Sequence, residues 1–161
     1  MKKTLLYLLA VLPILFFSCS DEDDMQPFTP PTHEEEVEEI ETFLEDRNIA
    51  YQTDTSGMRY YLDSVGTGVA PVMDDTVSVR YTGFFPGGGV FDSNVDSGLP
   101  LQFVVGENRV IPGFEYAVMK LKEGGSGTFI LPSRLAYGST GAGPIPPYTI
   151  IGFEVELIDV R

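Results

Sequence analysis

Cysteine and histidine are almost missing from this chain, with one of each in 161 residues. A lone cysteine cannot staple a fold, and Cys19 with His33 cannot between them complete a Cys/His metal site. Carboxylate sites stay open on this ground. Nucleophile–histidine catalysis would have to rest on His33, which lies in the polar, proline-flanked stretch Pro31-Thr32-His33-Glu34. Serine and cysteine hydrolases of the triad kind are therefore excluded. Positive charge is scarce as well. Ten Lys and Arg face twenty-four Asp and Glu, a net charge of −14. A nucleic-acid surface needs a basic footprint, so DNA and RNA are excluded as partners.

What is present is unevenly spread. Residues 20–46 hold twelve acids and no Lys or Arg, whereas residues 57–161 hold eleven acids against seven bases, a net of −4. Seventeen glycines and twelve prolines predict many turns and a β-rich domain. The length suits one domain with appendages.

The first appendage is Met1-Lys2-Lys3 followed by the uncharged run TLLYLLAVLPILFF over 4–17. A basic start and a short apolar stretch make a secretory signal over 1–18, and the run is shorter than the ~20 residues a membrane span needs. Ser18-Cys19 resembles the end of a bacterial lipoprotein signal, with Phe16 where leucine is usual. That resemblance implies that Cys19 becomes the first residue and carries acyl chains, anchoring the chain to the bacterial outer membrane on its periplasmic or cell-surface face. Asp21-Glu22-Asp23-Asp24 resembles the acidic tag of surface-exported lipoproteins, and it equally suits a solvated linker. Residues 19–32, with Pro27, Pro30 and Pro31, read as that linker.

An extension over 33–56 follows. Thr32 and Glu35 form a capping-box pattern, and glutamates fill the first turn, so a helix is expected over 33–47. Val37, Ile40 and Leu44 fall on one face. This narrow stripe suits packing on the main domain, pairing with a second copy, or a mobile spacer.

From residue 57 the period changes to two. Strands are expected at 58–62, 77–82, 101–105, 128–131 and 151–157. The turn Phe85-Pro86-Gly87-Gly88-Gly89 leads into Val90-Phe91-Asp92, and 111–121 reads as a short helix with Pro112 in its first turn. The expected fold class is α+β, a curled antiparallel sheet over one short helix, preceded by the amphipathic extension helix.

Six segments in order carry a more specific signal: Val79-Arg80-Tyr81-Thr82-Gly83, Phe91-Asp92-Ser93, Val110-Ile111-Pro112-Gly113-Phe114-Glu115, Ala136-Tyr137-Gly138, Ile145-Pro146-Pro147 and Phe153-Glu154-Val155-Glu156-Leu157. Each alone is weak. Together, residues 57–161 resemble the FKBP family of peptidyl-prolyl cis-trans isomerases. The resemblance implies an isomerase that assists the folding of exported proteins and needs no metal or cofactor. Its partners would be proline-containing unfolded or exported polypeptides, with rapamycin-type macrolides as candidate ligands. It assigns catalytic roles to Asp92 and Tyr137. It assigns substrate binding to Tyr81, Phe91, Leu101, Val110, Ile111, Phe114, Ile145 and Phe153, with the proline ring on Phe114.

This chain departs from the best-known members at several of these positions. Phe114 stands in place of tryptophan, Leu101 in place of an aromatic, and Arg109 in place of an acid. Ser97 lies where a basic partner for Asp92 is often found. These departures keep a rival reading in view, a chaperone or surface binding module that holds proline segments with little turnover. A third class is a structural lipoprotein whose acidic helix recruits a partner; it requires neighbours to fill the space around Phe91, Phe114 and Tyr137. The glycine-rich stretch 138–143 is no phosphate loop, because no Lys-Ser/Thr follows it.

Overall fold

Alternating apolar and polar residues build a sheet here, and glycine- and proline-rich turns separate its strands. The computed structural model describes residues 28–161. The expected signal over 1–18, Cys19 and most of the linker 19–32 lie outside the described residues. Helix α1 (His33–Glu45) is followed by strands β1 (Gln52–Thr53), β2 (Arg59–Ser64), β3 (Thr76–Phe84), β4 (Val90–Ser93) and β5 (Leu101–Val104). Helix α2 (Pro112–Val118) and strands β6 (Ser126–Leu131) and β7 (Ile151–Val160) complete the order. Single 3-10 turns at Val95–Ser97 and Ser133–Leu135 had no expectation in the sequence.

All strand pairs are antiparallel, in the order β1-β2-β6-β7-β3-β4. β3 organises the sheet. One edge pairs with β7 from Val77↔Val160 to Phe84↔Gly152. The other edge is shared: its first half pairs with β5 (Val79↔Leu101) and its second half with β4 (Gly83↔Asp92). Between those halves stands Tyr81. The sheet also takes in Gln52 and Thr53, upstream of residue 57.

α2 lies on one face of the curled sheet, with Phe114, Ala117 and Val118 buried against Val77, Val79, Phe129, Leu131, Phe153 and Val155. Pro112 sits in the first turn, where its missing N–H costs no helical bond. The helix ends at Val118 rather than continuing to 121, although Leu121 is still buried in the same core.

α1 lies on the opposite face. Its capping box forms in full: the Glu35 N–H donates to Thr32 Oγ1, and the Thr32 N–H donates to a Glu35 carboxylate oxygen. Ile40 and Leu44 pack on Ile130, with Phe84, Tyr61 and Ile150 around them. Arg59 fixes the helix further, donating to Glu41 at 2.8–2.9 Å. Of the three arrangements open in the sequence, the structure shows the helix packed on the domain. Its buried residues are Glu36, Ile40 and Leu44, while Val37 is only half-buried.

Candidate functional site

The shared edge of β3 creates a cleft. β5 and β4 pair with successive halves of that edge, and the start of α2, with Ile111 and Phe114, lines the gap between them. The cleft has a volume of about 350 Å³ and is lined by Tyr81, Phe91, Asp92, Leu101, Arg109, Val110, Ile111, Phe114, Tyr137 and Phe153. That is the size of a small-ligand pocket, and it is open rather than filled by neighbours.

Its walls are aromatic and interlocked. Phe114 and Phe153 meet edge to face at 5.1 Å, Phe91 and Phe153 at 5.7 Å, and Tyr81 and Phe114 at 5.4 Å. Edge-to-face contacts of this kind hold ring orientations as well as positions. Gly83 makes room for them: a Cβ there would lie 2.5 Å from the Phe91 ring and 3.0 Å from Phe153. Phe114 and Phe153 are nearly buried, whereas Phe91, Tyr81 and Tyr137 are half-buried and form the mouth.

Few polar groups enter. The Tyr81 hydroxyl donates to Asp92 Oδ2 at 2.6 Å. Burial, and then this bond to a carboxylate, push the Tyr81 pKa up to about 12. Burial and the nearby Asp92 charge also raise the Tyr137 pKa. Among the described residues the Tyr137 hydroxyl makes no hydrogen bond, so it is free to donate into the cleft. Ile111 caps α2 with extended backbone, so its N–H is not used by the helix.

Most residues expected from the sequence thus converge on one cleft. Ile145 does not line it. Its side chain is 5% exposed and packs in the core beneath the rim. A tight turn in which Ala142 and Ile145 exchange backbone hydrogen bonds at 2.9 Å holds it there. Arg109 does line the cleft, although the sequence marked it only as a departure. Its place just before Val110-Ile111 was the available signal.

Comparison with known proteins agrees with this geometry. The sequence profile of FKBP-type peptidyl-prolyl cis-trans isomerases matches residues 68–158. The FKBP-type peptidyl-prolyl cis-trans isomerase FkpA of Aeromonas hydrophila is 44% identical over 106 residues, 66% of this chain and 39% of that protein. The FKBP-type 22 kDa peptidyl-prolyl cis-trans isomerase of Escherichia coli is 42% identical over 106 residues, 65% of this chain and 50% of that protein. The chain therefore spans half or less of the length of these relatives. Among solved structures, FkpA from Escherichia coli superposes with a TM-score of 0.70 at 35% identity, over 80% of this chain and 59% of that one. A peptidyl-prolyl cis-trans isomerase from Pseudomonas syringae pv. tomato gives 0.66 at 31% identity, over 83% of this chain and 99% of that one. With the profile spanning more than half the chain and the aromatic cleft lying inside the matched span, this chain belongs to the FKBP-type peptidyl-prolyl cis-trans isomerase family.

Proposed function

We propose that this chain is an exported, lipid-anchored peptidyl-prolyl cis-trans isomerase acting on proline-containing unfolded or exported polypeptides. The observation that carries the reading is the open aromatic cleft with a single tyrosine–carboxylate bond at its wall. Rotation about the bond before proline faces a barrier of roughly 18–20 kcal/mol, because it breaks amide resonance. The planar amide is more polar than the twisted one, so an apolar, water-poor cleft favours the twisted form. Lowering the barrier by about 7 kcal/mol gives about a 10⁵-fold acceleration. Tighter grip on the twisted form than on the planar form supplies it.

In this reading the proline ring rests on Phe114 between Tyr81, Phe91 and Phe153, with Leu101 and Val110 completing the apolar wall. The Ile111 N–H and the Tyr137 hydroxyl hold substrate carbonyls. Asp92 holds the Tyr81 hydroxyl and sets the field at the reacting carbonyl. Ile145 supports the rim from beneath. Rapamycin-type macrolides compete for the same cleft. Residues 1–18 are removed as a signal, Cys19 is acylated, 19–32 is the linker, 33–56 the helical extension and 57–161 the isomerase domain. The outer membrane, on its periplasmic or outward face, is the expected location.

The test is cis-to-trans isomerisation of an apolar-Xaa-Pro-Phe peptide by the full chain, with and without the macrolide, beside Asp92→Ala. Turnover that the macrolide blocks and the variant weakens supports the enzyme and its site together. A folded protein that leaves the uncatalysed rate unchanged sinks the enzyme claim. The anchor is tested separately: Cys19→Ser should move the protein from the membrane fraction to the soluble fraction.

A proline-segment-holding module is the second reading. It is favoured by the exposed side chains of Val90, Val95 and Leu99, at 63%, 51% and 76%, on the stretch that leads from β4 to β5. Suppressed client aggregation without faster isomerisation would mark it.

A further inference from the structure

The extension helix reaches the turn that precedes Tyr137 through a buried carboxylate. Glu36 is 3% exposed, while Glu34, Glu35, Glu38, Glu39 and Glu45 of the same helix are exposed. Its two oxygens take both donors of one distant residue. The Ser133 N–H donates to Oε2 at 2.8 Å, and the Ser133 hydroxyl donates to Oε1 at 2.5 Å. A buried carboxylate is costly unless its oxygens are hydrogen-bonded, and removing it would strand two buried donors. The pair is therefore mutually dependent.

Ser133 in turn holds the backbone around Tyr137. It opens the 3-10 turn Ser133–Leu135. Its carbonyl accepts from the N–H of Ala136 and from the N–H of Gly138, both at 2.9 Å. Those two amides bracket Tyr137. The Gly138 carbonyl then accepts from the Tyr148 N–H at 2.8 Å, extending the hold to the rim. Arg134, the next residue in the turn, donates to the Ser56 carbonyl at 2.7 Å and adds a second tie to the segment after α1. The Tyr137 hydroxyl has no hydrogen bond of its own among the described residues, so its position in the cleft follows from this backbone.

We propose that Glu36 is a positioning residue for the isomerase site, acting through Ser133 to fix Tyr137, and that α1 is thereby part of the catalytic apparatus rather than a spacer. This rests on the reading of Tyr137 as a substrate-binding hydroxyl. Misplacing a contacting group by about 1 Å can cost as much as a hundredfold in rate.

The experiment uses the full chain and the apolar-Xaa-Pro-Phe peptide. Glu36→Ala, Glu36→Gln, Ser133→Ala, Tyr137→Phe and the Glu36→Ala/Tyr137→Phe double variant are compared by kcat and KM. Glu36→Ala is expected to lower kcat/KM roughly tenfold. Glu36→Gln should restore most of it, because the amide oxygen still accepts the Ser133 N–H and the amide nitrogen can donate to Ser133 Oγ. In the Tyr137→Phe background, Glu36→Ala should cause no further loss. An equal loss in both backgrounds, or a lowered Tm with wild-type kcat/KM, would overturn the proposal.

Amide exchange provides a readout free of turnover. The Ala136 and Gly138 amides should exchange faster in Glu36→Ala and Ser133→Ala, while those of Phe129 and Val155 stay protected. Unchanged exchange at Ala136 and Gly138 refutes the link even if the enzyme is active. Faster exchange there in a chain that turns over nothing sustains the link and removes only the isomerase reading.

Discussion

Tyr81 and Asp92 share a 2.6 Å hydrogen bond in a largely aromatic and aliphatic wall, and the protonation of the phenols sets two pH expectations. Burial and Asp92 lift the Tyr81 pKa to about 12, and Tyr137 is also raised, so both phenols stay protonated across the neutral range. Isomerisation should then be flat between about pH 6 and pH 9. Stability behaves differently. The Tyr81 pKa is higher in the folded chain than in the unfolded one, so its contribution is complete below about pH 10 and is lost as pH rises towards about 12. Unfolding midpoints across that window should fall less steeply in Tyr81→Phe; an identical slope would show that the bond carries no such linkage. Arg109 gives a prediction about substrates. It is exposed on the cleft wall and forms no ion pair among the described residues. Peptides with Glu beside the proline should have a lower KM than peptides with Lys there, with the gap shrinking as salt screens it. Arg109→Glu should reverse the order, and an unchanged order would remove Arg109 from recognition. At this scale the sequence was informative where a motif carried the residue, as with Phe91-Asp92-Ser93. It was silent where the fold decides orientation. Ile145 sits in a quoted motif, yet the turn with Ala142 sends its side chain inward.

Elements were legible where periodicity was strong. Apolar and polar residue types alternate from Val77 to Thr82 in β3 and from Phe153 to Leu157 in β7, and Pro112 marks the start of α2. Weaker features escaped. β1 is two residues long, too short for any period to register, and the 3-10 turns at Val95–Ser97 and Ser133–Leu135 have no apolar repeat. The start and capping of α1 were readable from Thr32 and Glu35, and Ile40 and Leu44 of its expected apolar face do dock, but the burial of Glu36 was not readable. Glu36 shares a face with Ile40 and Leu44, and its burial depends on a serine 97 residues away. The turn entering β2 is tied to the end of α2 by Lys120 Nζ on Asp54 Oδ2 at 2.6 Å. Hydrogen bonds from Lys120 and Ser56 hold the Asp54 carboxyl down at about 2. Because the folded pKa is depressed, this link contributes above about pH 4 and is lost as pH falls towards 2. Asp54→Asn should therefore narrow the stability difference between pH 5 and pH 2.5 in chemical denaturation; a difference equal to that of the wild type would exclude the pair as a contributor.

The sheet as a whole is covered on both faces, by α2 on one and α1 on the other. Removing residues 1–47 would uncover Ile130, Phe84, Tyr61 and Ile150 together. Such a truncated chain should bind a hydrophobic dye more strongly than the full chain and should unfold at lower denaturant. Equal dye binding would mean that α1 adds no cover in solution. That two-sided arrangement was beyond the sequence, because a narrow apolar stripe does not name the surface that receives it. The outer limits of the sheet carry a separate consequence. At one limit stands β1, two residues long; at the other, β4 and β5 each offer four residues and share β3 as their neighbour. Short borders give a passing extended polypeptide little backbone to hydrogen-bond with. Were the proposed activity on unfolded chains to hold, the protein would face continual templating, in which a client adds itself as one more strand. Such a chain would meet an aromatic hollow of about 350 Å³ and borders too brief to recruit it into the fold.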